Sequence, residues 1–241
     1  MPGMLFISLL AFQIGSPFSS QGEMVGSLWS SDQESNWCCE NGVPYSPNEG
    51  DIVFFSSMSP IHFLIYKFGG TCHPYHVGIV VRNPEGSLCV FESGAKIKFG
   101  VTEIPLPQRM NEYLLIRPYR RIWVRKIKEP LNPEQSRCLT DYAESQCGKK
   151  FACFFRMGLM GIPGRPLKPT EWNQDRWFCA ELVSETIRYC GLCPCCWIRP
   201  EKTSPRDLFK DERNIGVRWH SPKTWSPDQN PPPPGPLFSP P

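Results

Sequence analysis

Two adjacent segments of strand-like composition, the first rich in β-branched residues, constrain the fold of this chain more than any other feature. The first runs from His76 to Arg82 and the second from Ser87 to Ser93, with Asn83-Pro84-Glu85-Gly86 between them. Turn residues between two such segments are typical of a β-hairpin. Further strands of the same antiparallel sheet are predicted at Ile52 to Phe55, Val101 to Ile104 and Tyr113 to Arg117.

Two helices are predicted after these strands. Asn132 can cap the first helix, Pro133 suits its first position, and Gly148 ends it. The second helix starts near Cys179 and stops at Gly191. Its apolar residues recur at helical spacing on one face, at Leu182, Val183, Ile187 and Cys190. The predicted class is therefore α+β, with an antiparallel sheet packed on helices.

The chain length suits one domain of ordinary size with flexible ends. The 241 residues are 40% hydrophobic, which is enough apolar material for a packed core. We expect a leader and loop over residues 1–46, a single domain over residues 47–220, and a disordered proline-rich tail over residues 221–241. The tail has the composition of a polyproline II segment, which a proline-recognition domain of a partner protein can bind.

The N-terminal sequence leaves the cellular compartment open. Met4 to Phe12 is apolar like the core of a secretory signal, but no Lys or Arg precedes it. The protein is expected to be secreted if this segment is cleaved, and cytoplasmic or membrane-associated otherwise. Twelve cysteines do not decide between these compartments.

Charge argues against one class of partner. The 26 basic and 23 acidic residues give a net charge of only +3, and no long basic run is present. The electrostatic footprint of a nucleic-acid-binding protein is therefore missing. Lys and Arg do gather between Arg117 and Lys128, where they form either a solvated face or a peripheral contact with lipid headgroups.

Cys179 stands at the predicted start of a helix, directly after Trp177 and Phe178. The unpaired amides and the dipole of a first helical turn lower the pKa of a cysteine, and they can also stabilise an oxyanion. These properties suit a nucleophile that attacks a carbonyl carbon. A cysteine that merely packs in the core is the alternative.

A base and an orienting group for such a nucleophile are predicted on the hairpin. Of four histidines, only His76 opens a strand, where its side chain is held by a fixed backbone. Glu92 interrupts the apolar run of the partner strand. If paired residues have numbers that sum to 168, His76 faces Glu92 directly, and the Glu92 carboxylate reaches a ring nitrogen of His76. A slip of one residue would place the two on opposite faces.

Four motifs in this order resemble the circularly permuted branch of the NlpC-type papain-like cysteine hydrolases, and the YiiX-like group in particular. They are Gly50-Asp51-Ile52-Val53-Phe54-Phe55, Tyr75-His76-Val77-Gly78-Ile79-Val80, Glu92, and Phe178-Cys179-Ala180-Glu181-Leu182-Val183. The resemblance covers about residues 48 to 192. It implies a permuted papain-like fold with Cys179 as nucleophile, His76 as general base and Glu92 as the third polar residue.

Three classes of function stay open at this point. The first is a thiol hydrolase that cleaves an amide bond, as a peptidase or amidase does. The second uses the same three residues on a lipid ester or thioester, by hydrolysis or acyl transfer, and the apolar segment from Ile61 to Phe68 would suit a lipid chain. The third is a non-catalytic interaction protein that uses the fold and the proline-rich tail.

The remaining cysteines indicate no cofactor. Cys190, Cys193, Cys195 and Cys196 cluster around one proline, whereas structural zinc sites need separated pairs or added histidines. We therefore expect neither a metal nor another cofactor. Disulfides are compatible with secretion, and S-acylation is compatible with a membrane-associated cytosolic protein.

Overall fold

The structure of the protein is a computed structural model, and the statements below refer to the residues that it describes. These are residues 25–30, 42–56, 74–94, 100–115, 120–152, 175–193, 198–211 and 215–227. They form ten strands and four α-helices, with two short 3₁₀ turns at Pro200–Lys202 and Ile215–Val217. None of the helices is long and apolar enough to cross a bilayer.

Eight strands form one sheet in which every neighbouring pair is antiparallel. The strands are β1 Ser27–Trp29, β2 Val43–Pro44, β3 Ile52–Ser56, β4 His76–Arg82, β5 Leu88–Ser93, β6 Val101–Pro105, β7 Arg121–Arg125 and β10 Lys223–Ser226. The order across the sheet is β2-β1-β10-β7-β3-β4-β5-β6, so β3 and β4 lie near its centre. Two further short strands, β8 Lys150–Phe151 and β9 Arg176–Trp177, pair in parallel with each other.

Helices cover both faces of the sheet. The four helices are α1 Leu106–Leu115, α2 Pro133–Gln146, α3 Cys179–Tyr189 and α4 Pro205–Phe209. On one face, α2, α3 and α4 bury apolar side chains against residues such as Ile79 and Phe91. On the other face, α1 packs against residues such as Val80 and Val90. The predicted α+β class with an antiparallel sheet is confirmed.

The two predicted helices are present. Asn132 caps α2 by accepting from the backbone amide of Gln135 at 2.8 Å, and Pro133 is the first helical residue. The α3 helix starts at Cys179, and Gly191 follows its end with a positive φ of 58°. Glycine adopts this left-handed conformation without the clash that a Cβ atom causes, which explains the stop.

The predicted hairpin is present, but its predicted register was wrong by two residues. Gly78 pairs with Glu92, so paired numbers sum to 170 instead of 168. The cause is the turn: the backbones of Asn83 and Ser87 still pair, and Gly86 closes the loop with a φ of 85°. Because side chains alternate between faces with a period of two, a shift by two keeps His76 and Glu92 on the same face.

The strand predicted at Tyr113 to Arg117 was also wrong, because residues up to Leu115 belong to α1. The buried residues Leu106, Met110 and Tyr113 recur at helical spacing and place α1 against the sheet. Residues 116 and 117 lie outside the described part of the chain.

The boundaries expected for the leader and the tail need correction at the described residues. Within residues 1–46, the structure contains β1 and β2, and within residues 221–241 it contains β10. Leu28 pairs with Trp225, which joins the two ends of the domain in one sheet. Residues 1–24 and 228–241 lie outside the description, so the signal segment and the binding of a proline-recognition domain stay predictions.

A buried carboxyl group fixes the turn that leads into β3. Asp51 is completely buried and accepts hydrogen bonds from the Tyr45 hydroxyl at 2.9 Å and from the backbone amides of Asn48 and Ile127 at 3.0 and 2.8 Å. Burial raises the pKa of Asp51 to about 6, although these hydrogen bonds and Lys126 act in the opposite direction.

Candidate active site

His76 is the first residue of β4 and lies at one end of the sheet. Its ring packs against the ring of Phe55, its partner on β3, with centroids 5.6 Å apart. The side chain is 18% exposed, so it is largely shielded from solvent but still accessible. At the first position of a strand, the backbone is held by the sheet while the side chain can still contact groups beyond the strand end. A residue inside the strand would lack this second property.

Glu92 contacts His76 as predicted, although the two residues are diagonal neighbours in the sheet and not directly paired. Glu92 is completely buried, and its Oε2 lies 2.9 Å from Nε2 of His76. The corrected register places it two residues from the position opposite His76, and diagonal neighbours on one face remain within reach of long side chains. Glu92 thus holds one of the two ring nitrogens, and Nδ1 is the nitrogen left for other contacts.

Arg109 completes the surroundings of Glu92 and was missed in the sequence. Its Nε donates to Oε1 of Glu92 at 2.7 Å, and its guanidinium lies over the rings of Phe55 and Tyr113 at 4.5 and 5.4 Å. Arg109 belongs to α1, part of which was predicted as a strand. The helical spacing of Leu106, Met110 and Tyr113 was the pattern that could have placed it on the sheet.

Cys179 approaches His76 from the other layer of the fold. It is the first residue of α3, which packs on β4 and β5, and its side chain is half-buried. Its sulfur is one of the two neighbouring groups, with the Glu92 carboxylate, that raise the pKa of the His76 ring. The His76 ring contacts Phe55 of the core on the α1 face, whereas Cys179 packs against the core on the α3 face, so the candidate site combines residues from both faces of the sheet.

The start of α3 leaves amide donors available around Cys179. The N-cap residue is Phe178, which makes no side-chain capping hydrogen bond, and the first helical hydrogen bond runs from Leu182 to the Phe178 carbonyl. The amides of Cys179 and Ala180 therefore have no acceptor inside the helix. A Ser or Asp cap would have occupied amides of this turn.

The segment before α3 is fixed by hydrogen bonds on two sides. The Ser93 hydroxyl, at the end of β5, donates to the carbonyl of Trp177 at 2.8 Å. The indole Nε1 of Trp177 donates to Oε1 of Gln146 at the end of α2, at 3.1 Å. These bonds attach the approach to Cys179 both to the strand of Glu92 and to the neighbouring helix.

The charges of the site shift two pKa values in opposite directions. Burial lowers the pKa of His76, but the neighbouring Glu92 carboxylate and the Cys179 sulfur outweigh it and raise the value to about 9. Burial raises the pKa of Glu92, but His76 and Arg109 outweigh it, so this pKa is lowered. At neutral pH, Glu92 is therefore an anion and His76 an imidazolium cation.

Of the other three histidines, the structure describes only His220, which lies away from this site. His62 and His73 lie outside the described residues. The backbone carbonyl of His220 accepts from Nε of Arg125 at 2.8 Å, near the end of β7 opposite the site.

The cysteine cluster after α3 is described only in part. Cys190 lies against Cys138 of α2, Cys193 is buried, and Cys195 and Cys196 fall outside the described residues. Within the described part of the chain, no group of three or more His, Cys, Asp or Glu side chains is arranged to hold a metal ion.

Similarity to known proteins is found among solved structures. No protein-family model matches the chain, and a search of curated protein sequences gave no match. A crystal structure of the metalloprotein yiiX from Escherichia coli O157:H7 is similar, with 19% sequence identity and a TM-score of 0.42. The match covers 75% of this chain and 90% of that chain.

Proposed function

We propose that this protein is a thiol hydrolase with a permuted NlpC-type papain-like fold, in which Cys179 forms an acyl-enzyme. The observation that carries the proposal is the position of the His76 ring between the buried Glu92 carboxylate and the thiol of Cys179. The chain order also supports it, since the histidine strand precedes the cysteine helix.

His76 and Glu92 prepare the nucleophile in this proposal. His76, protonated at neutral pH, places an imidazolium cation beside the Cys179 sulfur, and the thiolate is the form in which a cysteine acts as a nucleophile. The Cys179 sulfur attacks the carbonyl carbon of the substrate, and the carbonyl electron pair moves onto the oxygen. Amides of the first turn of α3 donate to this oxyanion.

His76 then changes role between the two halves of the reaction. Collapse of the tetrahedral intermediate breaks the bond to the leaving group, and the imidazolium gives its proton to that group. Neutral His76 next takes a proton from water, whose oxygen attacks the thioester and releases the acid. Glu92 keeps the ring oriented and stabilises each imidazolium, and Arg109 positions Glu92.

The buried charges favour this enzyme over a non-catalytic interaction protein. Glu92 is completely buried, and the Arg109 side chain is only 12% exposed. Burying such charges costs desolvation energy that a well-packed apolar group would avoid. Shifted pKa values inside such a cluster are typical of functional sites.

The amide bond is the substrate class that we propose first, and lipid esters or thioesters stay the alternative. The sequence feature that favours a lipid substrate is the apolar segment from Ile61 to Phe68, which lies outside the described residues. Both classes use the same three residues, because both pass through an acyl-cysteine.

A substrate panel tests the proposal. Purified protein is incubated with peptide amides, phospholipid esters and acyl thioesters, and the acyl-enzyme is sought by intact mass spectrometry after acid quench. We expect turnover of the amides and an adduct that Cys179→Ser abolishes, while the matched Cys147→Ser variant keeps both. Turnover unchanged in Cys179→Ser, or no adduct with any of the three classes, would contradict the proposal. Turnover of the esters alone would select the alternative.

A further inference from the structure

A second pair of interacting side chains lies away from the candidate active site, where α2 packs on the end of α3. The sulfur atoms of Cys138 in α2 and Cys190, the C-cap of α3, are 3.0 Å apart. The two residues are 52 positions apart in sequence, so tertiary packing and not local chain geometry brings them together. The thiols of both residues are free in this structure.

Neighbouring contacts hold the two helices in this arrangement. The rings of Tyr142 and Tyr189 pack with centroids 4.6 Å apart. The side-chain amide of Gln135 donates to the carbonyl of Gly191 at 3.2 Å. A disulfide bond measures about 2.04 Å between sulfurs, so the thiols need to approach by only about 1 Å to bond.

The two thiols differ in their access to solvent. Cys138 is partly exposed, whereas Cys190 is only 6% exposed. Burial and the adjacent Cys138 thiol raise the pKa of Cys190 well above its ordinary range. A soluble oxidant therefore reaches Cys138 first, and Cys190 is placed to react only with the group next to it.

We propose that Cys138 and Cys190 are an oxidisable pair that forms an intramolecular disulfide with a small disulfide oxidant such as oxidised glutathione. The Cys138 thiolate attacks one sulfur of the oxidant and releases one glutathione thiolate. The Cys190 thiolate then attacks the Cys138 sulfur of this mixed disulfide and releases the second glutathione. The protein loses two electrons and two protons, and one oxidised glutathione becomes two reduced molecules.

The cross-link would fix the helix that carries Cys179 at its other end. Cys179 is the first residue of α3 and Cys190 is its C-cap, so oxidation would fasten α3 to α2. It would also close a long loop of chain, which limits the unfolded state and stabilises the folded one. This inference does not depend on the proposed hydrolase function.

Mass spectrometry of the full-length protein tests the proposal. The reduced protein is incubated with oxidised glutathione, blocked with N-ethylmaleimide, digested without reduction and compared with a sample kept in dithiothreitol. We expect a peptide that links Cys138 to Cys190 only after oxidation, and a rise in Tm of roughly 5–10 °C. Both results should be absent in Cys138→Ser.

Matched variants are needed to assign the link. Trypsin leaves Cys147 on the peptide of Cys138, and it leaves Cys193, Cys195 and Cys196 on the peptide of Cys190. The link should survive in Cys147→Ser and in each of Cys193→Ser, Cys195→Ser and Cys196→Ser. Its persistence in Cys138→Ser or Cys190→Ser, its loss in any of these controls, or glutathione adducts without a link would overturn the proposal. Circular dichroism establishes that each variant is folded. If Cys190→Ser does not fold, Cys138→Ser, which changes a partly exposed position, provides the test of the link.

Discussion

Glu92 in β5 and Asp51 directly before β3 are both completely buried carboxyl groups, and their pKa values move in opposite directions. Glu92 is held by His76 and Arg109, which can both be cationic. Asp51 is held by the Tyr45 hydroxyl and by backbone amides, which are neutral. Burial raises the pKa of both carboxyl groups, so the charges of their hydrogen-bond partners decide whether the net pKa shift is upward or downward.

Asp51 is thus a structural carboxylate, and Glu92 is a candidate functional one. Neutral donors fix the turn before β3 but leave the desolvation of Asp51 uncompensated. Cationic partners keep Glu92 ionised, and an ionised Glu92 in turn keeps a proton on His76. A buried carboxyl group thus serves stability at Asp51 and charge placement at Glu92.

The largest effect is expected from Glu92→Gln, which keeps the size of the side chain and removes its charge. The pKa of His76 should fall from about 9 towards its ordinary value, because the Glu92 carboxylate is the largest influence that raises it. We expect kcat/KM on a substrate that the panel identifies to fall by about 10²–10⁴-fold. NMR titration of His76 and steady-state kinetics measure the two effects.

Two outcomes would contradict the role of Glu92. One is an unchanged His76 titration, and the other is activity within a few-fold of the parent protein. Loss of a partner from a buried ion pair also costs about 3–5 kcal/mol of stability, so circular dichroism must establish that Glu92→Gln is folded.

Asp51→Asn should change the pH dependence of stability and leave catalysis intact. The pKa of Asp51 is raised from 3.8 to about 6, so the folded protein binds this proton more tightly than the unfolded chain. Its stabilising contribution is complete below the unfolded value and is lost as the pH rises through about 6. The free energy of unfolding of the parent relative to Asp51→Asn should fall by about 2–3 kcal/mol from pH 4 to pH 7.

Urea denaturation at several pH values measures this difference. A difference that does not vary with pH would show that Asp51 is not the titrating group. A large loss of kcat/KM in folded Asp51→Asn would break the distinction between the two carboxylates.

A smaller effect is expected at Arg109, which touches Glu92 and not the reacting atoms. Arg109→Gln removes a cation that lowers the pKa of Glu92 and a hydrogen bond that holds its carboxylate, so Glu92 and the His76 ring are positioned less firmly. We expect a loss of roughly 10-fold in rate. The alkaline limit of kcat/KM, expected near pH 9 in the parent, should move to higher pH, because a buried pair without the neighbouring cation holds its proton more tightly.

Arg109→Lys is the matched control, because it keeps the charge while losing the Nε contact. It should restore the alkaline limit at least in part. An alkaline limit that stays near pH 9 in Arg109→Gln would show that Arg109 supports only the packing of Phe55 and Tyr113.

Local patterns in the sequence predicted the elements that carry the candidate site. The β4–β5 hairpin, the cap at Asn132 and the helix start at Cys179 all depend on residues close together in the chain. The contact between His76 and Glu92 was predicted because it requires only that both lie on one face. The register could not be obtained in this way, since it depends on how the turn at Gly86 closes.

Contacts between distant segments could not be predicted from local patterns. The pairing of Leu28 with Trp225 joins segments almost 200 residues apart, and short strands carry little sequence pattern of their own. Arg109 was missed for a related reason. A buried arginine becomes recognisable only when its carboxylate partner, here 17 positions away, is known to face it.

The rate at which iodoacetamide alkylates Cys179 near pH 6 tests the central claim most directly. Cys147 is the internal control: it is more exposed than Cys179, but partial desolvation and the Glu103 carboxyl raise its pKa to about 12. We predict that Cys179 reacts at least about 10-fold faster than Cys147, and that His76→Ala abolishes this advantage. Two results would contradict the account. One is faster labelling of Cys147, as its greater exposure alone would give, and the other is a Cys179 rate that is unchanged in His76→Ala.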